Sequence, residues 1–201
     1  MPFDHNDHYH RLLLRRVPPG ALSALDVGCG TGRFARKLAQ RGLRVEAVDA
    51  SEEAVAAAGT APGVVFRVAD VTAVRLPEGR YDVITCLASL HHVPFSTVTA
   101  LRAALAPDGV LLVLGCYPER TAADWAVSLL AVPVNAVARL ACAVRDRLRG
   151  RPRPAVGEPV RPPTMPLSEI RAEAERLLPG SQVRRLLFWR YLLVFHEDAA
   201  R

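Results

Sequence analysis

The stretch "LDVGCGTGRFARKLA", residues 25–39, decides the fold of this 201-residue chain. An apolar run leads into glycines at positions 28, 30 and 32, and a helical pattern of apolar residues follows from Phe34 to Ala39. Glycines at such a turn allow the chain to bend sharply and let a ligand approach the backbone closely. The stretch therefore predicts a β-strand, a ligand-binding loop and an α-helix, with the ligand at the carboxyl end of the strand.

The segments after this stretch continue the alternation of strands and helices. Strand-like runs begin near residues 43, 63, 81 and 110, and helical runs occupy residues 52–59 and 95–105. Strands that alternate with helices pair in parallel through right-handed crossovers, which predicts a three-layer α/β sandwich. A Pro-Asp-Gly turn should precede the fifth strand. Residues 167–201 predict a closing helix and two antiparallel strands that reverse near Trp189.

Composition restricts the class of protein and its partners. Half of the residues are apolar, and the four cysteines form no CxxC pair, so neither a zinc ribbon nor a disulfide framework is expected. We expect a cytoplasmic protein without a secretory signal. The net charge of +6 would suit acidic partners such as RNA, but the arginine cluster at 145–153 lacks interleaved aromatics. Pro133 and Arg139 interrupt the longest apolar stretch, so no membrane association is expected.

The spacing of the glycines narrows the class of ligand. Dinucleotide folds use G-x-G-x-x-G/A, but here Arg33 occupies the position of the third glycine, which argues against NAD and FAD. The absence of a following GK[ST] argues against a P-loop. Asp49 ends the second predicted strand, 17 residues past Gly32, where a carboxylate can accept bonds from both hydroxyls of a ribose. Asp70 ends the third strand, where it could accept an adenine amino group.

The segments "LDVGCGTG", "VEAVDAS", "VAD" and "YDVITCLASLHHV", in this order, resemble the class I S-adenosylmethionine-dependent methyltransferases. "LAPDGVLLVLG" is similar to that family's turn and strand after the cofactor site. The two ends, "FDHNDHYHRLLL" and "LLFWRYLLVF", resemble small bacterial members of the methyltransferase-11/25 type. The resemblance implies a Rossmann-like sandwich with a mostly parallel seven-stranded sheet and an antiparallel closing strand. It also implies S-adenosyl-L-methionine as cofactor and S-adenosyl-L-homocysteine as product.

The resemblance assigns cofactor-binding roles to twelve residues, which fall into four groups along the cofactor. The methionine part would contact Asp26, Gly28, Cys29, Gly30 and Gly32, and the ribose would contact Asp49, Ala50 and Ser51. The adenine would face Asp70 and Val71, and Cys86 and Leu87 would lie under the sulfonium. Alternatively, some of these polar side chains only cap the helices that follow.

Candidate catalytic residues are His91, His92 and Tyr9. A histidine after the fourth strand could remove a proton from the methyl acceptor. Either histidine could instead be a loop residue that bonds to the backbone. At the amino terminus, Tyr9 with His5 or His8 predicts a lid that touches cofactor or acceptor. The alternatives there are helix capping with solvent exposure, or a metal site shared with the histidine pair. The predicted chemistry needs no metal.

An apolar acceptor pocket is predicted from Phe95, Trp125 and Leu129, with ordinary core packing as the alternative. The whole chain should form one domain: a cap or lid (1–20), a cofactor-binding core (21–117), a helical insertion and loop on the acceptor side (118–166), and a closing helix and strand pair (167–201). The predicted function is methyl transfer to O or N of a small apolar or aromatic acceptor by a monomer or homodimer. The alternatives are a tRNA or protein methyltransferase and a non-catalytic cofactor-binding module.

Overall fold

The computed structural model describes residues 5–121, 124–127, 129, 132, 136, 140 and 162–198. Its helices are α1 (His5–Leu14), α2 (Arg33–Ala39), α3 (Glu52–Ala58), α4 (Thr97–Ala103) and α5 (Leu167–Leu177). Its strands are β1 (Ser23–Val27), β2 (Arg44–Asp49), β3 (Val64–Val68), β4 (Tyr81–Leu87), β5 (Leu105–Cys116), β6 (Gln182–Arg185) and β7 (Arg190–His196). A 3₁₀ turn spans Leu90–His92.

The seven strands form one sheet in the order β3-β2-β1-β4-β5-β7-β6. The first five strands of this order are parallel, and β7 runs antiparallel to both β5 and β6. The predicted α/β fold class is therefore confirmed, including the antiparallel closing strand. The chain moves outward from β1 to β3 and then crosses to β4 on the other side of β1. Open α/β sheets bind ligands at such a switch point, beyond the carboxyl ends of the strands.

The sheet is buried on both faces, as its apolar strands require. On β5, Leu112 and Leu114 pack toward α1 and α2, whereas Leu111 and Val113 pack toward α4 and α5. This alternation follows from the two-residue period of a strand. Helices on both faces complete the three layers that the sequence predicted.

The predicted Pro-Asp-Gly turn lies inside β5 rather than before it. Tyr81 pairs with Leu105 and Val83 with Val110, so residues 106–109 bulge out of the pairing with β4. Asp108 adopts a left-handed φ of 62° within this bulge. The Pro-Asp-Gly turn was therefore predicted correctly, but β5 begins before it as well as continuing after it.

The amino-terminal helix α1 docks on the hairpin that joins β6 to β7. The Tyr9 hydroxyl donates a hydrogen bond to the Leu187 carbonyl at 3.0 Å, and Arg190 Nε donates to Asn6 Oδ1 at 3.2 Å. Phe188 and Trp189, at the reversal of the hairpin, both have positive φ values, 58° and 57°. The hairpin therefore holds α1 from a part of the chain about 180 residues away.

Much of the predicted insertion, including the arginine cluster at 145–153, lies outside the described residues. Asp124 is buried and forms an ion pair with Arg185 at 2.6 Å. Trp125 and Leu129, which were predicted to line an acceptor pocket, are 59% and 75% exposed, so their side chains lie outside the core. No helix in the described part of the chain is long and apolar enough to span a bilayer.

Candidate active site

A cavity of about 730 Å³ lies at the carboxyl ends of β1, β2 and β4. This volume is within the range of small-molecule and cofactor sites. Eleven of the twelve residues predicted to contact the cofactor line it: Asp26, Gly28, Cys29, Gly30, Asp49, Ala50, Ser51, Asp70, Val71, Cys86 and Leu87. Residues from four separate segments of the chain thus meet at one site.

The glycine loop is held in place by backbone bonds to β2. The amides of Gly28 and Cys29 both donate to the Val48 carbonyl, at 2.8 and 3.0 Å. Gly28 has a φ of 68°, and a Cβ at this position would lie 2.2 Å from Cβ of Ser89. Glycine is therefore required at position 28 because the loop after β4 passes directly over it.

Gly32 does not line the cavity, contrary to its predicted place in the methionine pocket. It is the N-cap of α2 with a φ of 72°, and a Cβ there would meet the Phe66 ring at 2.4 Å. This glycine allows α2 to begin and to pack closely against β3, a packing role that its spacing alone does not reveal.

Asp49 joins the glycine loop to the start of α3. One carboxylate oxygen accepts from the Gly30 amide at 2.8 Å, and the other accepts from the Ser51 amide at 2.9 Å. Each carboxylate oxygen can accept more than one bond, so both retain capacity for ribose hydroxyls. Ser51 caps α3, because its hydroxyl accepts from the Ala54 amide at 3.1 Å.

Asp26 lies at the bottom of the cavity and is only 2% exposed. Burial raises its pKa to about 6, although the Thr85 hydroxyl, which donates to Asp26 Oδ1 at 2.7 Å, opposes that shift. A carboxyl group that is costly to ionise when alone becomes a good partner for a bound cation.

Asp70 lies at the exposed rim of the cavity. Its Oδ1 accepts bonds from the Thr72 hydroxyl at 2.7 Å and the Thr72 amide at 2.8 Å, which lower the pKa of Asp70. This carboxylate therefore caps the turn after β3 and keeps Oδ2 for a ligand.

The two cysteines of the cavity are neutral wall residues. Burial raises the pKa of Cys29 to about 12 and shifts the pKa of Cys86 further upward. A thiol, unlike a thiolate, is a poor nucleophile and packs as a small apolar group. Burial therefore favours the thiol form of both side chains near neutral pH.

His92 lines the cavity, and His91 does not. The two rings are in contact, with centroids 4.0 Å apart and planes tilted by 38°, so His91 packs against His92 from outside the lining. The loop that carries them is fixed because the Ser89 hydroxyl donates to the Val27 carbonyl at 2.6 Å. Ala88, just before it, has a φ of 54°, a strained value for a non-glycine residue.

The face of α1 that lines the cavity is not the predicted one. His5 and His8 pack on the Phe188 ring, with centroids 5.0 and 5.4 Å away, and Tyr9 is buried beside it. Asn6, Asp7 and His10 line the cavity instead. Tyr9 and Leu13 are apolar, lie one helical turn apart and mark the core side of α1. This spacing was the signal that could have placed the neighbouring face, with Asn6, Asp7 and His10, at the cavity.

The apolar part of the lining also differs from the prediction. Phe95 packs against the core beside the cavity, and neither it nor the exposed Trp125 and Leu129 lines the site. Apolar lining comes instead from Leu90, Val93, Leu101 and Pro162, with Thr97 among them. Thr97 and Leu101 are four residues apart and lie on one face of α4, so their helical spacing was a signal that could have indicated this part of the lining.

The charge of the cavity is opposite to that of the chain. Among the described residues, the lining contains the carboxylates of Asp7, Asp26, Asp49, Glu53 and Asp70 and the single guanidinium of Arg33. The whole chain has a net charge of +6. Such a lining favours a cationic ligand and disfavours a pyrophosphate. No cluster of three metal-binding side chains occurs in the part of the chain that the structure describes.

Comparison with known proteins identifies the family. A family model described as a methyltransferase domain matches residues 4–148. An uncharacterised methyltransferase of Mycobacterium tuberculosis is 33% identical over 96% of both chains. The chain belongs to the class I S-adenosylmethionine-dependent methyltransferases.

Two further similarities describe this methyltransferase. A ubiquinone biosynthesis O-methyltransferase of Marinobacter nauticus is 38% identical over 49% of the chain and 45% of the relative. The structure of a magnesium protoporphyrin IX methyltransferase from Synechocystis, with bound S-adenosylhomocysteine, superposes with a TM-score of 0.59. That alignment covers 96% of this chain and 81% of the other at 21% identity, which shows a shared fold.

Proposed function

We propose that this methyltransferase binds S-adenosylmethionine in the cavity and methylates an O or N atom of a small apolar or aromatic acceptor. The observation that carries the proposal is the convergence of the eleven predicted cofactor residues on one acidic cavity at the switch point of the sheet. A sulfonium cofactor suits this lining because its positive charge is attracted by the carboxylates.

The roles of the acidic residues follow from their positions. Asp49, at the end of β2, accepts the two ribose hydroxyls, and Asp70 at the rim accepts the adenine amino group. Asp26, below the glycine loop, faces the methionine part. Cys86 and Leu87, at the end of β4, form the wall beside the sulfonium. Their apolar character keeps water away from the transferred methyl group.

The cofactor supplies an electrophilic methyl group, which an acceptor atom attacks in line with the departing sulfur. The departing sulfide needs no proton, so the chain must align the acceptor and accept the acceptor's proton. His92 is the residue that we assign as this base, because it lines the cavity beside the loop of Cys86 and Leu87. Its Nδ1 or Nε2 would take the proton and pass it to solvent, since His92 is exposed.

The acceptor occupies the side of the cavity that Leu90, Val93, Leu101 and Pro162 line. These side chains favour an apolar or aromatic body, and Thr97 provides a hydroxyl to orient a polar group. The Marinobacter relative is an O-methyltransferase, which supports oxygen as the acceptor atom.

The test has two stages with the purified chain. Calorimetry with S-adenosylmethionine, S-adenosylhomocysteine and NAD should detect micromolar binding of the two sulfur nucleotides and none of NAD. Transfer of a labelled methyl group should then be measured to panels of phenols, aromatic amines, tRNA and proteins. Transfer only to tRNA or protein would replace the proposed acceptor. Binding without any transfer would indicate a non-catalytic module.

The histidine pair provides a matched comparison for the assigned base. His92→Ala should lower turnover about 100-fold and leave cofactor affinity unchanged, because general bases contribute roughly that factor. His91→Ala should lower turnover less, since that ring only supports His92. Equal losses in the two variants would contradict the assignment of His92 as the base.

A further inference from the structure

Large apolar side chains on the segment after β5 are exposed to solvent. Four of them are helical and 56–75% exposed, and together they form the apolar stripe: Trp125, Leu129, Val132 and Leu140. With the exposed Ala136, they follow one another at intervals of four, three, four and four residues, which is the spacing of one side of a helix. Exposed apolar side chains grouped in this way are typical of an interaction site.

The first residue of the apolar stripe is directed outward by its neighbour. Asp124 is 3% exposed and pairs with Arg185 at the end of β6. Thr121 and Asp124 also form a capping box, because the Asp124 amide donates to the Thr121 hydroxyl at 3.2 Å and Asp124 Oδ2 accepts from the Thr121 amide at 2.8 Å. These contacts fix Asp124 to the fold, so the adjacent Trp125 side chain is held on the outside.

The segment that carries the apolar stripe joins the fold beside the cavity. It follows β5, and Arg185 lies where β6 reaches the same edge of the sheet as the carboxyl end of β5. Pro162, where the described part of the chain resumes, lines the side of the cavity proposed for the acceptor. The apolar stripe therefore begins at the edge of the sheet where the cavity lies.

The charge of the same part of the sequence indicates the partner. Residues 126–161 contain seven arginines and two acidic residues, which gives five of the six net positive charges of the chain. Apolar helical side chains that include a tryptophan, followed by arginines, suit the interface of a bilayer with anionic headgroups. A nucleic acid would attract the arginines but would leave the aliphatic side chains without a partner. A second copy of the chain would bring like charges together.

We infer that the apolar stripe docks this methyltransferase on the surface of an anionic lipid bilayer. Trp125 and the three aliphatic side chains enter the headgroup region, and the positive charge of the segment is attracted by the anionic lipids. Pro133 and Arg139 prevent a span, but they are compatible with a helix that lies in the plane of the interface. The expectation of no membrane association therefore applies to a span and not to a surface contact. Docking does not depend on the proposed methyl acceptor.

Sedimentation of the full chain with lipid vesicles tests the docking. The wild type should bind vesicles of phosphatidylglycerol and phosphatidylcholine about 10-fold or more tightly than vesicles of phosphatidylcholine alone, because each arginine near an anionic surface adds to the attraction. Added salt should weaken binding to the anionic vesicles, since it screens that attraction. Absence of binding to anionic vesicles, or equal binding to both kinds, would overturn the inference.

Leu129→Ser and Leu22→Ser form a matched pair of variants. Both leucines are exposed, at 75% and 61%, but Leu22 precedes β1 at the opposite edge of the sheet. Leu129→Ser should weaken binding to anionic vesicles about 10-fold, because a leucine side chain no longer leaves water on docking. Leu22→Ser should leave this binding unchanged, and both variants should keep the circular dichroism of the wild type. An equal effect of the two substitutions would contradict docking through the apolar stripe.

The fluorescence of Trp125 reports the contact directly. The chain contains two tryptophans, so Trp189→Phe leaves Trp125 as the only one. Anionic vesicles should shift its emission to shorter wavelength, and lipids with brominated acyl chains should quench it, because the indole enters the interface. Emission that stays unchanged while the protein sediments with the vesicles would place the contact elsewhere and would overturn the inference.

Two other occupants of the apolar stripe would give different results. A second copy of the chain would appear in sedimentation equilibrium as a dimer that Leu129→Ser dissociates, without binding to vesicles. A nucleic acid would appear as retention of tRNA by the wild type at low salt, without binding to anionic vesicles. Either result would make the inference wrong and would leave calorimetric binding of S-adenosylmethionine unaffected, so failure of docking is distinguishable from failure of the proposed function.

Discussion

The cavity has two walls that are built in different ways. The strand wall, formed by the residues after β1, β2 and β4, is fixed by backbone amides, such as the amides of Gly28 and Gly30 that donate to Val48 and Asp49. The α1 wall, formed by Asn6, Asp7 and His10, is fixed by side-chain pairs. Backbone bonds leave little freedom, whereas side-chain pairs exchange partners readily. The difference teaches that the strand wall is held rigidly by the backbone, whereas the position of the α1 wall depends on a few side-chain contacts.

The strongest test of the preformed wall is Gly28→Ala. The new Cβ would overlap Ser89 and would impose a left-handed φ on alanine, so we expect a loss of about 3–5 kcal/mol in the free energy of unfolding. Urea unfolding of the ligand-free protein measures this loss. Gly20→Ala is the control, because Gly20 also has a positive φ, 84°, but has nothing within 4 Å. It should cost only about 1 kcal/mol. Equal losses of unfolding free energy in the two variants would mean that the strand wall shifts to accommodate the new Cβ at position 28.

A second test uses the pH dependence that Asp26 gives to the strand wall. Its pKa is raised from 3.8 to about 6 in the folded chain, so the folded state holds this proton more tightly than the unfolded state does. The corresponding stability is fully present below pH 4 and is lost as pH rises through 6, a change of about 3 kcal/mol. The unfolding free energies of the wild type and Asp26→Asn, compared between pH 4 and 8, should therefore diverge by that amount. Parallel curves would show that Asp26 is not buried in this way.

A third test addresses cofactor affinity. Asp49→Asn keeps the shape of the side chain but presents an NH₂ group to the amide of Gly30 or Ser51, where the carboxylate accepted a bond. We expect affinity for S-adenosylhomocysteine to fall by about 2 kcal/mol, or roughly 30-fold, by calorimetry. Asp70→Asn at the exposed rim should cause a smaller loss. An unchanged affinity in Asp49→Asn would remove the ribose assignment.

The smallest effect is expected on the core side of α1, behind the α1 wall. Tyr9→Phe removes the bond to the Leu187 carbonyl and should lower the free energy of unfolding by about 1 kcal/mol. Turnover should stay within about twofold, because burial raises the pKa of Tyr9 to about 12 and its hydroxyl is turned away from the cavity. A large loss of turnover with unchanged stability would restore the predicted catalytic role of Tyr9 and would make the lid part of the chemistry.

The two walls also differ in how far the sequence reveals them. The strand wall depends on local patterns, since the glycine turn and Asp49 follow directly on apolar runs that can only be buried strands. Even there, spacing could not separate Gly28, which faces the cavity, from Gly32, which faces the Phe66 ring. Both glycines satisfy the same motif, and only the packing of α2 on the sheet distinguishes them.

The α1 wall depends on contacts between distant parts of the chain. Helical spacing groups His5, His8 and Tyr9 on one side of α1, but the hairpin at Phe188 decides that this side faces the protein interior. The neighbouring residues Asn6, Asp7 and His10 then turn to the cavity. The sequence predicted that His5 or His8 would contact the ligand. Packing against Phe188 instead turns these two histidines inward and places His10 at the cavity.

The acidic lining in a basic chain has a consequence for the direction of the catalytic cycle. Methyl transfer converts a positively charged sulfonium into a neutral thioether in the same position. In the proposed function, the carboxylates that attract the sulfonium therefore lose this attraction for the product at the moment of transfer. The cavity should therefore release S-adenosylhomocysteine more readily than S-adenosylmethionine. Loss of the positive charge during the reaction then favours replacement of the product by a new molecule of methyl donor.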